Sequence, residues 1–129
     1  MAEKYMKAVE SIIEECAVRE EEKVLVLAEH QSDHVIIEAL ARRAREKGGK
    51  VSLMYAEPFS IGGSEELSEV IRQAWFASEL IIVCSYFPIL YTKTLHESLI
   101  EHGCRCYEIF GGMANRDTLS GPGLAGPFN

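Results

Sequence analysis

The stretch that decides the fold is KVLVLAEHQSD, residues 23–33. Its centre, from Val24 to Ala28, is apolar throughout and does not alternate with polar residues. A strand with one wet face alternates, so an unbroken run indicates a strand that is buried on both faces by helices. Polar residues and then a helical pattern follow at once. This order predicts a doubly wound α/β sheet with ligand-binding groups at its carboxyl edge.

Helical and extended patterns alternate through the rest of the chain. Apolar periodicity predicts helices over residues 3–19, 33–47, 65–77 and 92–102, and strands over 23–29, 50–56, 79–85 and 104–110. Such an order gives parallel strands joined by right-handed crossovers. The first and third strands are continuously apolar and should be central, whereas the second alternates loosely and should lie near an edge. We therefore predict a Rossmann-like α/β three-layer sandwich with a parallel four-stranded sheet in the order 2-1-3-4 and helices on both faces.

Polar residues at the helix starts and apolar residues within the helices predict how the helices begin and pack. Ser32, Ser64 and Thr92 are the expected N-caps of the second, third and fourth helices. Gly48 and Gly49 should end the second helix. The residues expected to face the core are Val35, Ile36, Ala39, Leu40 and Ala44, then Leu67, Val70, Ile71, Ala74 and Trp75, then Leu95, Leu99 and Ile100.

Composition divides the chain into two parts. Residues 1–110 carry all the periodic segments and are predicted to form the α/β domain. Residues 111–129 hold half of the ten glycines and half of the four prolines, so we predict a tail or a linker toward a missing C-terminal domain.

Charge and cysteine content exclude several classes of protein. The net charge of −7 argues against nucleic-acid binding through phosphate contacts. No apolar run approaches the ~20 residues of a membrane span, and the charged N-terminus lacks a signal-peptide core, so we expect a cytoplasmic protein without a membrane partner. The Cys-x-Cys spacing is not that of zinc or thioredoxin sites. Free, buried or half-buried thiols are expected at Cys16, Cys84, Cys104 and Cys106.

The first stretch that could carry chemistry is EHQSDH, residues 29–34, at the end of the first strand. Two histidines and two acidic residues here suggest a metal site. A turn and a helix cap separate the histidines, however, so a polar loop with a helix cap is the interpretation we favour. A substrate or interface contact from Glu29 or His30 remains as the alternative.

The second stretch is SYFPILYTKT, residues 85–94, after the third strand. It offers hydroxyl groups near a helix start, where an anion can bind, at Ser85, Tyr86, Tyr91 and Thr92. Its apolar residues favour an interface with another part of the protein, and contact with a small ligand is the alternative. Ser85 lacks the flanking glycines of a nucleophile elbow. Glycine-rich dinucleotide, P-loop and His-Glu-x-x-His motifs do not occur in the sequence.

A family resemblance covers residues 5–113. The segments EECAVREEEKVLVLAE, AREKGGKVSLMYAEP, ASELIIVCS, YTKT and HGCRCYEIFGGM follow one another as in the N-terminal domain of the leucyl aminopeptidase T family, to which iron-dependent dihydroxypyridine dioxygenases are related. The chain departs from the family pattern at Glu29, where aspartate is common, and at Tyr91, where histidine is usual. It also has Gly111 and Gly112 in place of a proline-glycine turn.

The resemblance implies a two-domain metal-dependent aminopeptidase whose metal ligands lie in its C-terminal domain. No catalytic residue, metal ligand or cofactor site is therefore assigned to this chain, and a divalent metal is implied only for the full-length family. The chain should help to wall the active-site cavity, should form a dimer or pack on its own C-terminal domain, and should be inactive alone. The alternatives are a stand-alone module that binds a small ligand or a partner protein, and the N-terminal domain of a ring-cleaving dioxygenase.

Overall fold

A computed structural model describes residues 4–57, 67–85, 92–110 and 114–120 of the chain. The elements in these residues are α1 (Tyr5–Cys16), β1 (Lys23–Glu29), α2 (His34–Glu46), β2 (Lys50–Ala56), α3 (Glu69–Phe76), β3 (Leu80–Ser85), α4 (Lys93–Ile100), β4 (Arg105–Phe110) and α5 (Arg116–Leu119). The strands form one parallel sheet in the order β2-β1-β3-β4. This confirms the predicted fold class and strand order.

The central strands are buried as their unbroken apolar runs predicted. Every residue of β3 is buried, and so is every residue of β1 after Lys23. In β2, by contrast, no residue is fully buried and Leu53 is 38% exposed. The loose alternation of β2 therefore indicated an edge strand correctly.

Two apolar clusters cover the two faces of the sheet. On the first face, α1, α2 and α5 pack on β1 and β3 through residues such as Ile12, Leu40 and Leu119. On the second face, α3 and α4 pack through Trp75, Leu95 and their neighbours. Each large apolar side chain that becomes fully buried contributes roughly 1.5–3 kcal/mol. Both clusters therefore hold the helices against the sheet and position the strand ends.

Helix α2 begins one residue later than its predicted cap. Asp33, not Ser32, is the N-cap, because its carboxylate accepts a hydrogen bond from the Val35 N–H at 3.1 Å. The predicted end of α2 is confirmed, since Gly48 takes a φ of 101°, a left-handed conformation that glycine adopts without strain.

Helix α3 is shorter than predicted, whereas the start of α4 is confirmed. α3 begins at Glu69 with Ser68 as its N-cap, and the predicted cap Ser64 lies outside the described residues. Thr92 caps α4, and its Oγ1 accepts a hydrogen bond from the Leu95 N–H at 3.3 Å.

Four apolar residues predicted to face the core lie at the surface instead. The exposed fractions are 40% for Val35, 70% for Val70, 52% for Leu99 and 79% for Ile100. Helix α2 buries Ile37 and Ala41 in place of Val35.

Helix α4 buries a side that mixes one leucine with two hydroxyl residues, and Leu99 and Ile100 lie outside that side. Its buried residues are Thr94, Leu95 and Ser98. The Ser98 hydroxyl donates to the Leu95 carbonyl at 2.8 Å, and the Thr94 hydroxyl accepts from Arg72 at 2.9 Å. Buried hydroxyls that are hydrogen-bonded in this way cost little, so small polar side chains can occupy the buried side of α4.

The described part of the segment 111–129 packs on the first face. Asn115 caps α5, and Leu119 is buried in the cluster with α1 and α2. The Arg116 side chain bonds the Asp33 carboxylate at 2.9 Å, which joins α5 to the start of α2. The predicted division of the chain at residue 110 stays a prediction.

Candidate functional site

Two polar side chains lie level with each other at the carboxyl ends of the central strands. Ala28 of β1 pairs with Cys84 of β3, so the next residues, Glu29 and Ser85, end their strands at the same height. Residues alternate across a strand, which places Glu29 and Ser85 on the same face as Leu25, the face of α3 and α4. Both side chains are buried, Glu29 completely.

Glu108 of β4 extends this row to a third strand. Its register partner is Val83, and the Ser85 hydroxyl donates to its carboxylate at 3.4 Å. Glu108 is only partly buried. Glu108 is not among the site residues predicted from the sequence, although alternation within a fourth strand of known register would have placed it beside Ser85. We call Glu29, Ser85 and Glu108 the carboxyl-edge row.

The start of α4 lies at the same edge of the sheet as the row. In a parallel sheet each crossover helix begins at the carboxyl ends of the strands. Thr92 is buried there, and its hydroxyl is used in capping α4. Arg72 of α3 holds the first turns of α4, donating to Thr94 at 2.9 Å and to Glu97 at 3.1 Å. The two helices of this face are therefore fixed to each other beside the row.

His30 lies apart from the carboxyl-edge row, beside the end of β2. Its side chain is half exposed, and Nε2 lies 3.1 Å from the Glu57 carboxylate. The His34 Nε2–H donates to the His30 carbonyl at 2.9 Å, and the His34 ring stacks on Tyr55 at 4.3 Å. The two histidines thus contact each other through the backbone and do not converge on one point.

The predicted candidates Tyr86 and Tyr91 lie outside the described residues. Of the six candidates, the structure brings Glu29 and Ser85 together, puts Thr92 at the same edge, and leaves His30 at the surface of β2. Their role in binding stays a prediction.

The cysteines are core residues, as predicted. All four are free, and only Cys106 is not fully buried. Burial raises the pKa of Cys16, Cys84 and Cys106 to about 12, so these thiols stay protonated near neutral pH. A protonated thiol is neither a good nucleophile nor a good metal ligand.

The described residues do not fit a metal ion. Across residues 4–57, 67–85, 92–110 and 114–120, no group of three or more His, Cys, Asp or Glu side chains could hold one. The partly buried carboxylate of the carboxyl-edge row, Glu108, suits hydrogen-bond donors or a cationic group on a ligand. In the same described part of the chain, no helix is long and apolar enough to cross a membrane.

The fold and the row define an α/β domain of Rossmann-like architecture with polar groups at the carboxyl edge of its sheet. The structure of 2,5-dihydroxypyridine dioxygenase from Pseudomonas putida KT2440 is similar over 82% of this chain, with a TM-score of 0.61 and 18% sequence identity. The match spans 33% of the dioxygenase chain, so this chain corresponds to a third of its length. The sequence matches no protein-family model and no curated protein. At this identity the likeness shows a shared fold.

Proposed function

We propose that this chain is the N-terminal domain of a larger metal-dependent enzyme, a leucyl aminopeptidase-like hydrolase, and that it walls the substrate cavity and forms a dimer. One observation carries the proposal: four-fifths of the chain matches one third of a larger enzyme. In this proposal residues 1–110 are the domain, and residues 111–129 lead toward the C-terminal domain that binds the metal. The family resemblance supports the choice of a hydrolase.

In such an enzyme a metal held by the C-terminal domain would supply the chemistry, a bound water of lowered pKa for attack on a peptide carbonyl. This chain contributes the carboxyl-edge row. Glu108 is the partly exposed residue of the row and is the group proposed to contact the substrate. An ammonium group on the substrate would be a suitable partner for its carboxylate. Ser85 is a positioning residue, because its hydroxyl donates to Glu108 from a buried site.

A second candidate is the N-terminal domain of an iron-dependent ring-cleaving dioxygenase. The structural likeness to a 2,5-dihydroxypyridine dioxygenase favours it directly. Both candidates place the metal in another domain, and they differ in the reaction and in the need for oxygen.

The first experiment measures the intact mass of the natural protein and its activity. The proposal expects a mass well above the 14.4 kDa of this chain and release of leucine from leucyl amide that stops when a chelator is added. Oxygen uptake with 2,5-dihydroxypyridine and Fe²⁺, without amide hydrolysis, would assign the chain to the dioxygenase candidate. A natural mass of 14.4 kDa would overturn both and leave the stand-alone module.

The stand-alone module has its own test. A ligand present at ~100 times its Kd stabilises the folded state by about 2.7 kcal/mol, which a thermal-shift screen of metabolites detects.

A matched pair of variants tests the role of the row in the natural enzyme. Glu108→Gln should lower kcat/KM about tenfold, because it removes one charged hydrogen-bond partner of the substrate. Glu38→Gln on the exposed side of α2 is the control and should leave kcat/KM unchanged. Equal effects of the two changes would contradict a substrate contact by Glu108.

A further inference from the structure

The outer edge of β2 is open in the described part of the chain. The sheet ends at β2, and no described strand pairs with its far side. The Lys50 N–H donates to Glu22 at 2.7 Å, and the Ala56 carbonyl accepts from His30 at 2.8 Å, so both residues direct their main-chain groups toward β1. Main-chain groups alternate sides along a strand. Val51, Leu53 and Tyr55 therefore direct their N–H and C=O groups outward.

The side chains along this edge also favour association. Val51 and Tyr55 pack on the cluster of the first face, and Leu53 lies between them on the same side with 38% of its surface exposed. A long edge strand with an exposed apolar residue at its centre is a template for pairing with another strand. On the opposite side a groove of about 700 Å³ runs along β2, bordered by Ala74 of α3 and by Ala77, the residue that follows α3.

We propose that β2 pairs antiparallel with β2 of a second copy of this chain, so that two sheets join into one continuous eight-stranded sheet. The register that pairs all three outward-facing residues has its two-fold axis at Leu53. It sets Leu53 against the partner's Leu53, and Val51 against the partner's Tyr55. A β-branched residue opposite an aromatic one is a favourable cross-strand pair.

The other face of the paired strands agrees with this register. Ser52 lies opposite the partner's Met54, and the groove beside Ala74 and Ala77 has room for that side chain. Lys50 opens the strand and Glu57 follows its end, so antiparallel pairing brings the basic end of one copy to the acidic end of the other. Parallel pairing would bring like charges together.

The other edge of the sheet is less suited to self-pairing. In β4 the Arg105 N–H donates to Glu79, on the side of β3, so the outward-facing residues are Cys106, Glu108 and Phe110. The register that pairs all three would set Glu108 opposite its own copy, and like charges directly opposite each other are destabilising. β2 is therefore the edge that accepts a second copy.

This inference deepens the dimer of the proposed function and rests on that dimer, not on the chemistry. If the protein dimerises through β2 but is inactive, only the hydrolase proposal fails. If the enzyme is active but monomeric, this interface and the dimer of the proposed function fail, and the hydrolase proposal stands. The two failures are thus distinguishable, because the test uses neither activity nor metal.

The test is light scattering of the 129-residue chain during size-exclusion chromatography, with three variants whose folding is checked by circular dichroism. The wild-type chain should have twice the 14.4 kDa monomer mass. Leu53→Lys and Leu53→Glu should each raise the dimer Kd on the order of tenfold or more, through like charges at the two-fold axis and lost apolar burial. Mixing the two variants should restore a heterodimer. Leu99→Lys, at an exposed leucine of α4, is the matched control and should leave the mass unchanged.

Several outcomes would overturn the interface. One is a monomeric wild-type chain, and another is a dimer that survives Leu53→Lys but dissociates with Leu99→Lys. A cross-link supplies independent evidence: Leu53→Cys should form an intermolecular disulfide on mild oxidation, because opposed Cα atoms in a hydrogen-bonded antiparallel pair are about 5.5 Å apart. Failure of this disulfide to form in a dimeric sample would exclude the register centred on Leu53.

Discussion

The two faces of the sheet bury their helices in different ways. On the α1, α2 and α5 face, long aliphatic stripes from two helices cover the strands, and residues as far apart in sequence as Ile12 and Leu119 share one cluster. On the α3 and α4 face, the described cluster is smaller and is centred on Trp75, while the apolar residues Val70 and Ile100 stay at the surface. The first face is thus the main source of stability, and the second carries the carboxyl-edge row.

The largest loss of stability should come from substitution of Trp75, since the second face depends on one large side chain. We expect Trp75→Ala to lower the free energy of unfolding by about 4 kcal/mol and Leu40→Ala, on the first face, by about 3 kcal/mol. Both side chains are fully buried. Urea denaturation of the two variants measures the difference. A greater loss with Leu40→Ala would show that Trp75 does not dominate its face.

The next largest loss of stability is expected at an ion pair that joins β4 to the connection between α1 and β1. Arg105 donates to the buried carboxylate of Glu22 at 2.7 Å and to the Cys16 carbonyl at 2.6 Å. Arg105→Met should lower the free energy of unfolding by about 2–3 kcal/mol, because it leaves a buried charge without its main partner. Lys50→Met, which removes an exposed pair with Glu21, is the control and should cost less than about 1 kcal/mol.

The same pair makes stability depend on pH. Burial alone raises the pKa of the Glu22 carboxyl, but hydrogen bonds from Arg105 and from the Arg19 N–H outweigh burial, so the pKa is lowered. A carboxyl with a lowered pKa in the folded state stabilises the protein above its unfolded pKa, and this contribution is lost as pH falls through the folded pKa. As the pH is lowered below about 4.5, the denaturation midpoint of the wild type should decrease, and this decrease should be smaller in Glu22→Gln. An equal fall in both would contradict this role of Glu22.

A smaller loss of stability is expected from removing the N-cap of α2. Asp33 caps the helix and also accepts hydrogen bonds from the Arg116 backbone and side chain. Asp33→Ala should cost about 1 kcal/mol through the lost cap. Ser32→Ala is the control, and thermal melts should place it closer to the wild type. A larger loss of stability with Ser32→Ala than with Asp33→Ala would indicate that Ser32, the cap predicted from the sequence, is the N-cap.

The smallest change in stability should come from substitutions at the exposed residues of α4. Ile100→Ser should change the free energy of unfolding by less than about 0.5 kcal/mol, because the side chain is already 79% exposed. Chemical denaturation of the isolated chain measures this value. A loss of stability comparable with that of Leu40→Ala would mean that this surface is buried in solution. The two faces would then differ less in how they bury their apolar residues.

The caps and helix faces show where sequence reasoning stops. Ser32 and Asp33 are both good N-cap residues, and the structure uses Asp33, whose other carboxylate oxygen bonds Arg116 of a distant segment. Leu99 and Ile100 follow Leu95 at near-helical spacing, yet α4 buries Thr94 and Ser98, whose hydroxyls bond Arg72 of α3 and the Leu95 carbonyl. Glu108 was missed for a related reason, since its neighbour Ser85 is distant in sequence and adjacent only through the register of β3 and β4.

Local pattern determined the strands, their central or edge positions and the parallel order of the sheet, because an unbroken apolar run such as Val24–Ala28 is stable only between two layers of helices. It also marked Glu29 and Ser85 as strand-end residues. The tertiary structure alone decided that Ser85 bonds Glu108, that α5 packs on α1, and that the outer edge of β2 is left open in the described residues. Those features depend on register and on contacts between distant segments, and a periodicity within one segment carries no information about either.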